Sequence, residues 1–211
     1  QIAGASWRDF GAVIVVRDLA EAAALTDRIA PEHLELCVAD PDALGLHGHS
    51  WSGYQTAQVI TQTDMFTCAI AGAPVSNMTS AYSGIRWESG LARQFQYEKS
   101  QSRIGGNLWE ARDLYIENSP VFFADRINTP LLIMFGDEDG AVPWYQGIEL
   151  YLAMRRLDKD CIFLQYRKEG HHPKKYANKL DYTIKFGEYL DHYLKDLFHR
   201  YKIHRLLQKH R

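Results

Sequence analysis

The sequence predicts an α/β fold: a mostly parallel sheet covered by helices on both faces. Three observations carry this. Short apolar runs recur along the chain, among them Gly11–Val16, Phe66–Pro74 and Thr129–Asp139. Helix-periodic segments separate them, as at Asp18–Ala30 and Trp144–Leu157. The runs are apolar throughout rather than alternating, which suits strands buried on both faces of a parallel sheet.

Taken in order, "GAVIVV" (Gly11–Val16) is a β-branched run that reads as a buried strand, and Asp18–Ala30 follows as an alanine-rich helix. Pro31 ends it and "HLELCV" returns as a strand, so residues 1–44 read as a βαβ unit. A second segment, residues 45–198, starts with "ALGLHGHS", a strand running into a turn. A helix is expected over Gln55–Thr63 and a strand over Phe66–Pro74. Tyr82–Tyr115 has no clean periodicity and is expected to lay short helices over the sheet. The strand Thr129–Asp139, the helix Trp144–Leu157, the strand "CIFLQYRKEG" and a helix over Tyr176–Leu197 complete the pattern. Residues 199–211 form a basic tail with five Lys/Arg and three His, read as a solvated terminus.

Composition narrows the function classes. With 24 basic and 26 acidic residues the net charge is −2, so no global field draws the chain to nucleic acid. No apolar run reaches the ~18 residues of a membrane helix, and a membrane partner is not expected. Cys37, Cys68 and Cys161 stand singly in apolar surroundings, the pattern of buried thiols. No secretory leader is legible from Gln1, and the expectation leans to the cytoplasm with the compartment open. Asn77-Met78-Thr79 matches the glycosylation triplet, a pattern that arises often by chance.

In an open parallel sheet, reactive groups gather beyond the carboxyl ends of the strands. Ser50 follows "ALGLHGHS", Asp139 follows "LLIMFGDED" and His171 follows "CIFLQYRKEG". A serine hydroxyl needs a base to take its proton, an imidazole is that base near neutral pH, and a carboxylate fixes the imidazole's tautomer. The order Ser, Asp, His is that of α/β-hydrolases. Asp137 and Glu138 compete with Asp139, and His172 with His171. "GHH" invites a metal, but no third ligand falls at a usable spacing, so neither metal nor cofactor is expected.

These stretches, with "AGAPVSNMTSAY", "ENSPVFFADRINTPLLIMFGDEDGAVPWYQG" and "EGHHPKKYANKLDY", resemble the catalytic domain of the prolyl oligopeptidase family from Gly45 to about Leu197. The resemblance implies a partial α/β-hydrolase, with Ser50 as nucleophile, Asp139 orienting the base, His171 as the base and the Trp51 backbone N–H as an oxyanion donor. It further implies cleavage of peptide or ester bonds through an acyl-enzyme. Tyr54, Trp87 and Phe95 are candidate walls of the substrate pocket.

Two departures accompany it. Ser52 stands where the family's turn has glycine, and a Cβ there is expected to press on the neighbouring strand. Residues 1–44 look instead like a fragment of histidinol dehydrogenase, whose Glu-His pair would fall on Glu32 and His33, without that enzyme's metal or cofactor parts; histidinol oxidation is not expected. The chain reads as a chimera. A catalytically inactive α/β domain, self-associating through an incomplete sheet edge, is the alternative to a working hydrolase.

Overall fold

A computed structural model describes residues 44–195. The βαβ unit expected within residues 1–44, with Glu32, His33 and Cys37, and the basic tail both lie outside the described residues.

Four parallel strands form the main sheet in the order β1-β2-β5-β6: β1 (Gly45–His49), β2 (Cys68–Gly72), β5 (Leu131–Gly136) and β6 (Cys161–Tyr166). Their registers place Leu46 beside Ala69, Ile70 beside Leu132, and Leu132 beside Ile162. β2 and β5 are buried at every position. Successive side chains of a strand point to opposite faces, so one apolar run must supply two cores. Ala69, Ala71, Leu131, Ile133 and Phe135 enter the first; Cys68, Ile70, Leu132 and Met134 enter the second.

Helices α1 (Trp51–Val59) and α4 (Tyr145–Arg156) cover the first face through Tyr54, Ala57, Leu150 and Met154. Helix α5 (Tyr176–Leu190) covers the second through Tyr182, Phe186, Tyr189 and Leu190, and continues as a π-helical turn over Asp191–Lys195. No helix among the described residues is long and apolar enough to cross a membrane. Cys68 and Cys161 are buried free thiols, and burial pushes them up to about 11 and about 12.

The stretch between β2 and β5 is irregular, as its lack of periodicity implies. It holds α2 (Met78–Tyr82), a hairpin of β3 (Ile85–Arg86) and β4 (Leu91–Ala92), a π-helical turn over Gln96–Ser100, and α3 (Arg112–Glu117). Its tyrosines anchor it: Tyr82, Tyr97 and Tyr115 are buried, and the rings of Tyr82 and Tyr115 meet edge to face at 5.3 Å. Asn77 caps α2, accepting from the Thr79 and Ser80 N–H groups, while its own amide nitrogen donates to Glu149. The nitrogen of the glycosylation triplet is thereby engaged inside the fold.

One boundary moves by several residues. The helix expected from Gln55 begins at Trp51, directly after Ser50. The turn at Ser50 leaves no room for a connecting loop, a tightness that apolar periodicity does not register.

Candidate active site

The turn between β1 and α1 is sharp enough to force Ser50 to φ 62° and ψ −119°, outside the regions an L-residue prefers. Such a conformation costs about 1–3 kcal/mol and persists only where its surroundings hold it. Here the Ser50 N–H donates to the Gly72 carbonyl at 2.7 Å, fixing the turn to β2. Ser50 stands at the N-cap of α1, yet its hydroxyl makes no capping bond. Two glycines let the turn close. A Cβ on Gly48 would run into the Ser52 carbonyl, and one on Gly53 into the Gly72 carbonyl. Ser52 itself is exposed. The steric pressure expected at Ser52 therefore falls on Gly53, because the first turn of α1 carries residue 52 toward solvent and residue 53 toward β2.

Asp139 sits in the loop after β5 and is 5% exposed. Its Oδ1 accepts from the N–H groups of Ala141 and Val142, both at 2.8 Å. Its Oδ2 lies 2.8 Å from His171 Nδ1. Asp137 is engaged elsewhere, accepting from the Lys168 N–H at 2.6 Å.

His171 follows β6. Its Nε2 is 2.8 Å from Ser50 Oγ. An ionised carboxylate can only accept, so the proton resides on Nδ1 and the Nε2 lone pair faces the serine hydroxyl. The loop that carries His171 is tied by Glu169, whose carboxylate accepts from the N–H groups of Lys174 and Lys175 and from the Asn178 amide. These bonds, the Lys174 N–H foremost, hold the Glu169 carboxyl below its ordinary range. Gly136 allows the two loops to meet, since a Cβ there would strike the carbonyls of Glu169 and Gly170. The structure thus brings Ser50, Asp139 and His171 together, and leaves His172 exposed beside them.

The other expected residues divide. Trp51 is the first residue of α1, so its N–H has no partner within the helix. Tyr54 lies in the core rather than at a pocket wall, its hydroxyl 3.4 Å from Asn118 Oδ1, and burial raises that hydroxyl to about 12. Trp87 is 74% exposed and Phe95 46%. The pocket beside Ser50 is lined by Trp51, Arg86, Arg93, Gln96 and Gln101. This wall is polar because Arg93 turns inward, where it donates to Tyr97 Oη and to the Ala141 carbonyl. The isolated position of Arg93 in a stretch without periodicity gave no sign of burial.

His49 is the further residue that the sequence did not single out. Its ring lies 4.9 Å from that of His171 and 4.3 Å from that of His172. Burial, followed by the two neighbouring imidazoles, lowers its pKa to about 4. Ligand atoms of His49, His171 and His172 all lie within 4.8 Å of one another. The fold thus places a third imidazole beside the two of "GHH", from the residue before Ser50, where no sequence spacing offered one.

Comparison with known proteins adds to this geometry. The model of the prolyl oligopeptidase family matches residues 23–197. The uncharacterized peptidase YuxL of Bacillus subtilis is 27% identical over 149 residues, 68% of this chain and 22% of that protein. The rat acylamino-acid-releasing enzyme is 28% identical over 134 residues, 63% of this chain and 18% of the relative. The chain therefore spans about a fifth of the length of these peptidase relatives. A puromycin-hydrolyzing peptidase of Mycobacterium tuberculosis shares the fold, with a TM-score of 0.64 at 24% identity over 83% of this chain and 25% of that one. A stretch of 43 residues is similar to a different protein, at 86% identity to histidinol dehydrogenase of Cereibacter sphaeroides, covering 20% of this chain and 10% of that enzyme.

Proposed function

The chain belongs to the prolyl oligopeptidase family, and from that premise we propose that it is a serine hydrolase of the peptidase type, cleaving peptide or ester bonds through an acyl-enzyme. The single observation that carries the reading is the relay Asp139 Oδ2···His171 Nδ1 and His171 Nε2···Ser50 Oγ, both legs 2.8 Å. His171 Nε2 takes the hydroxyl proton as Ser50 Oγ attacks the scissile carbonyl carbon. The carbonyl π electrons move onto oxygen, and the Trp51 N–H at the start of α1 stabilises that oxyanion. Collapse of the intermediate expels the amine or alcohol, which receives the proton from His171. Water, deprotonated by the same nitrogen, then attacks the acyl carbon; the ester bond to Ser50 Oγ breaks, and Oγ takes the proton back from His171. Asp139 keeps the imidazole in one tautomer and steadies its cationic form throughout. The polar wall of Arg86 and Gln96, backed by the buried Arg93, suits the carbonyls of a peptide main chain.

An inert domain is the second reading, favoured by one observation: β1, which carries Ser50, is an edge strand of the described sheet. This reading includes pairing between copies of the chain, which a sedimentation coefficient unchanged over a wide concentration range would overturn.

Covalent labelling with a fluorophosphonate probe decides between the two readings. Such probes report an activated serine without requiring the right substrate. The hydrolase reading expects rapid labelling of the native chain and none of Ser50→Ala. Equal, slow labelling of both folded proteins would overturn it.

A further inference from the structure

We propose that His49, His171 and His172 form a site for a divalent ion of the zinc class, and that filling this site takes His171 away from Ser50. Binding rests on the cluster's geometry alone; the consequence for activity rests also on the nucleophile reading above.

Three imidazoles converge here, His49 from the end of β1 and His171 and His172 from the loop after β6, with ligand atoms all within 4.8 Å. His49 Nε2 is buried and has no hydrogen-bond partner among the described residues. A buried polar nitrogen left unpaired is costly, and a bound cation would satisfy it. His171 is already oriented as a metal ligand is: its Nδ1–H donates to Asp139 Oδ2 at 2.8 Å, the carboxylate–histidine arrangement that fixes the tautomer of metal-bound imidazoles. Both Asp139 oxygens are occupied, by the Ala141 and Val142 N–H groups and by His171, so the donor set is nitrogen only. Imidazole nitrogens suit zinc, copper and nickel rather than magnesium or calcium.

Tetrahedral zinc with bonds of about 2.0–2.1 Å needs nitrogens roughly 3.3 Å apart. The remaining gap closes by rotation of His172, which stands at the surface and gives an ion its approach. The His171 Nε2 lone pair can accept the Ser50 proton or bind the ion, not both. Zinc is therefore a reversible inhibitor that competes for the general base, with solvent or Ser50 Oγ in the fourth position.

The test uses the full chain, freed of metal by a chelator. Titration with Co2+ is read by visible absorption, and fluorophosphonate labelling is timed at set concentrations of free Zn2+. Tetrahedral cobalt bands saturating at one ion per chain, and labelling slowed by zinc and restored by chelator, are the expected results. His172→Ala should label at the native rate without metal, lose the cobalt bands and need at least about tenfold more zinc for the same slowing. Absence of tetrahedral bands from the native chain, or equal zinc sensitivity of native and His172→Ala proteins, would overturn the site. Should the metal-free chain fail to label, the hydrolase reading falls, while the cobalt spectrum still decides the metal site.

Discussion

Gly53 and Ser52 are neighbours in the turn after Ser50, and they differ in what a side chain would touch. Gly53→Ala drives a methyl into the Gly72 carbonyl and is expected to destabilise by about 1–3 kcal/mol, with slower probe labelling. Ser52→Gly should leave labelling unchanged and cost no more than about 0.5 kcal/mol of helix propensity, because residue 52 is exposed. Urea midpoints and labelling rates for the two variants check both statements. The sequence pattern marks residue 52 as the tight position, since pattern spacing records where glycine is usual and not which atom meets β2. Asp139→Asn is a sharper probe of the relay. An amide in place of the carboxylate can donate to Nδ1 and so favours the wrong tautomer; a fall in labelling rate of up to about 10⁴-fold is expected with the melting temperature little changed. Ser50, Asp139 and His171 were legible because strand ends are legible. His49 was not, because 122 positions separate it from His171 and only folding makes them neighbours.

At the scale of elements, α4 and the segment after β2 are joined by one side chain. Gln146 is fully buried; its Oε1 accepts from the N–H groups of Ser76 and Asn77 at 3.1 and 2.8 Å, and its Nε2 donates to Ser80. Gln146→Leu keeps the volume but strands the two backbone donors, and should lower stability by about 1–3 kcal/mol as measured by urea unfolding. Helix α5 is tied to β6 differently, through Asp181, which accepts from Tyr166 Oη at 2.9 Å and pairs with Lys185. The Lys185 bond first, then that of Tyr166, lowers the Asp181 pKa below 3.8. A carboxyl depressed on folding stabilises above its unfolded value and loses that contribution as pH falls through its folded value. The stability difference between native and Asp181→Asn proteins should therefore be constant above about pH 5 and shrink below pH 3.8. The four sheet strands were readable from their apolar runs to within about four residues at each end, the largest miss being "CIFLQYRKEG", which stops at Tyr166. The helix after Ser50 was misplaced because a strained serine, not a change in periodicity, marks where it begins.

For the whole molecule, the sheet is the part that the sequence specifies most firmly. β5, "LLIMFG", supplies both cores at once, and its neighbours β2 and β6 follow the same parallel order that the alternation of elements predicts. The tyrosine-pinned stretch between β2 and β5 was legible only as irregular, because its order comes from contacts such as Tyr82 on Tyr115 rather than from a repeat. The candidate relay spans that architecture: Ser50 and His171 are 121 residues apart in the chain, and β2 and β5 stand between the strands that present them.

That span gives the relay a second use as a gauge of assembly. A slip of one residue along any strand between β1 and β6 would carry its loop about 3.3 Å out of line and break a 2.8 Å contact. During refolding from urea, probe reactivity at Ser50 should therefore return only with the last strand pairing, later than far-ultraviolet circular dichroism. Recovery of both signals together would mean that the four strands lock in a single step.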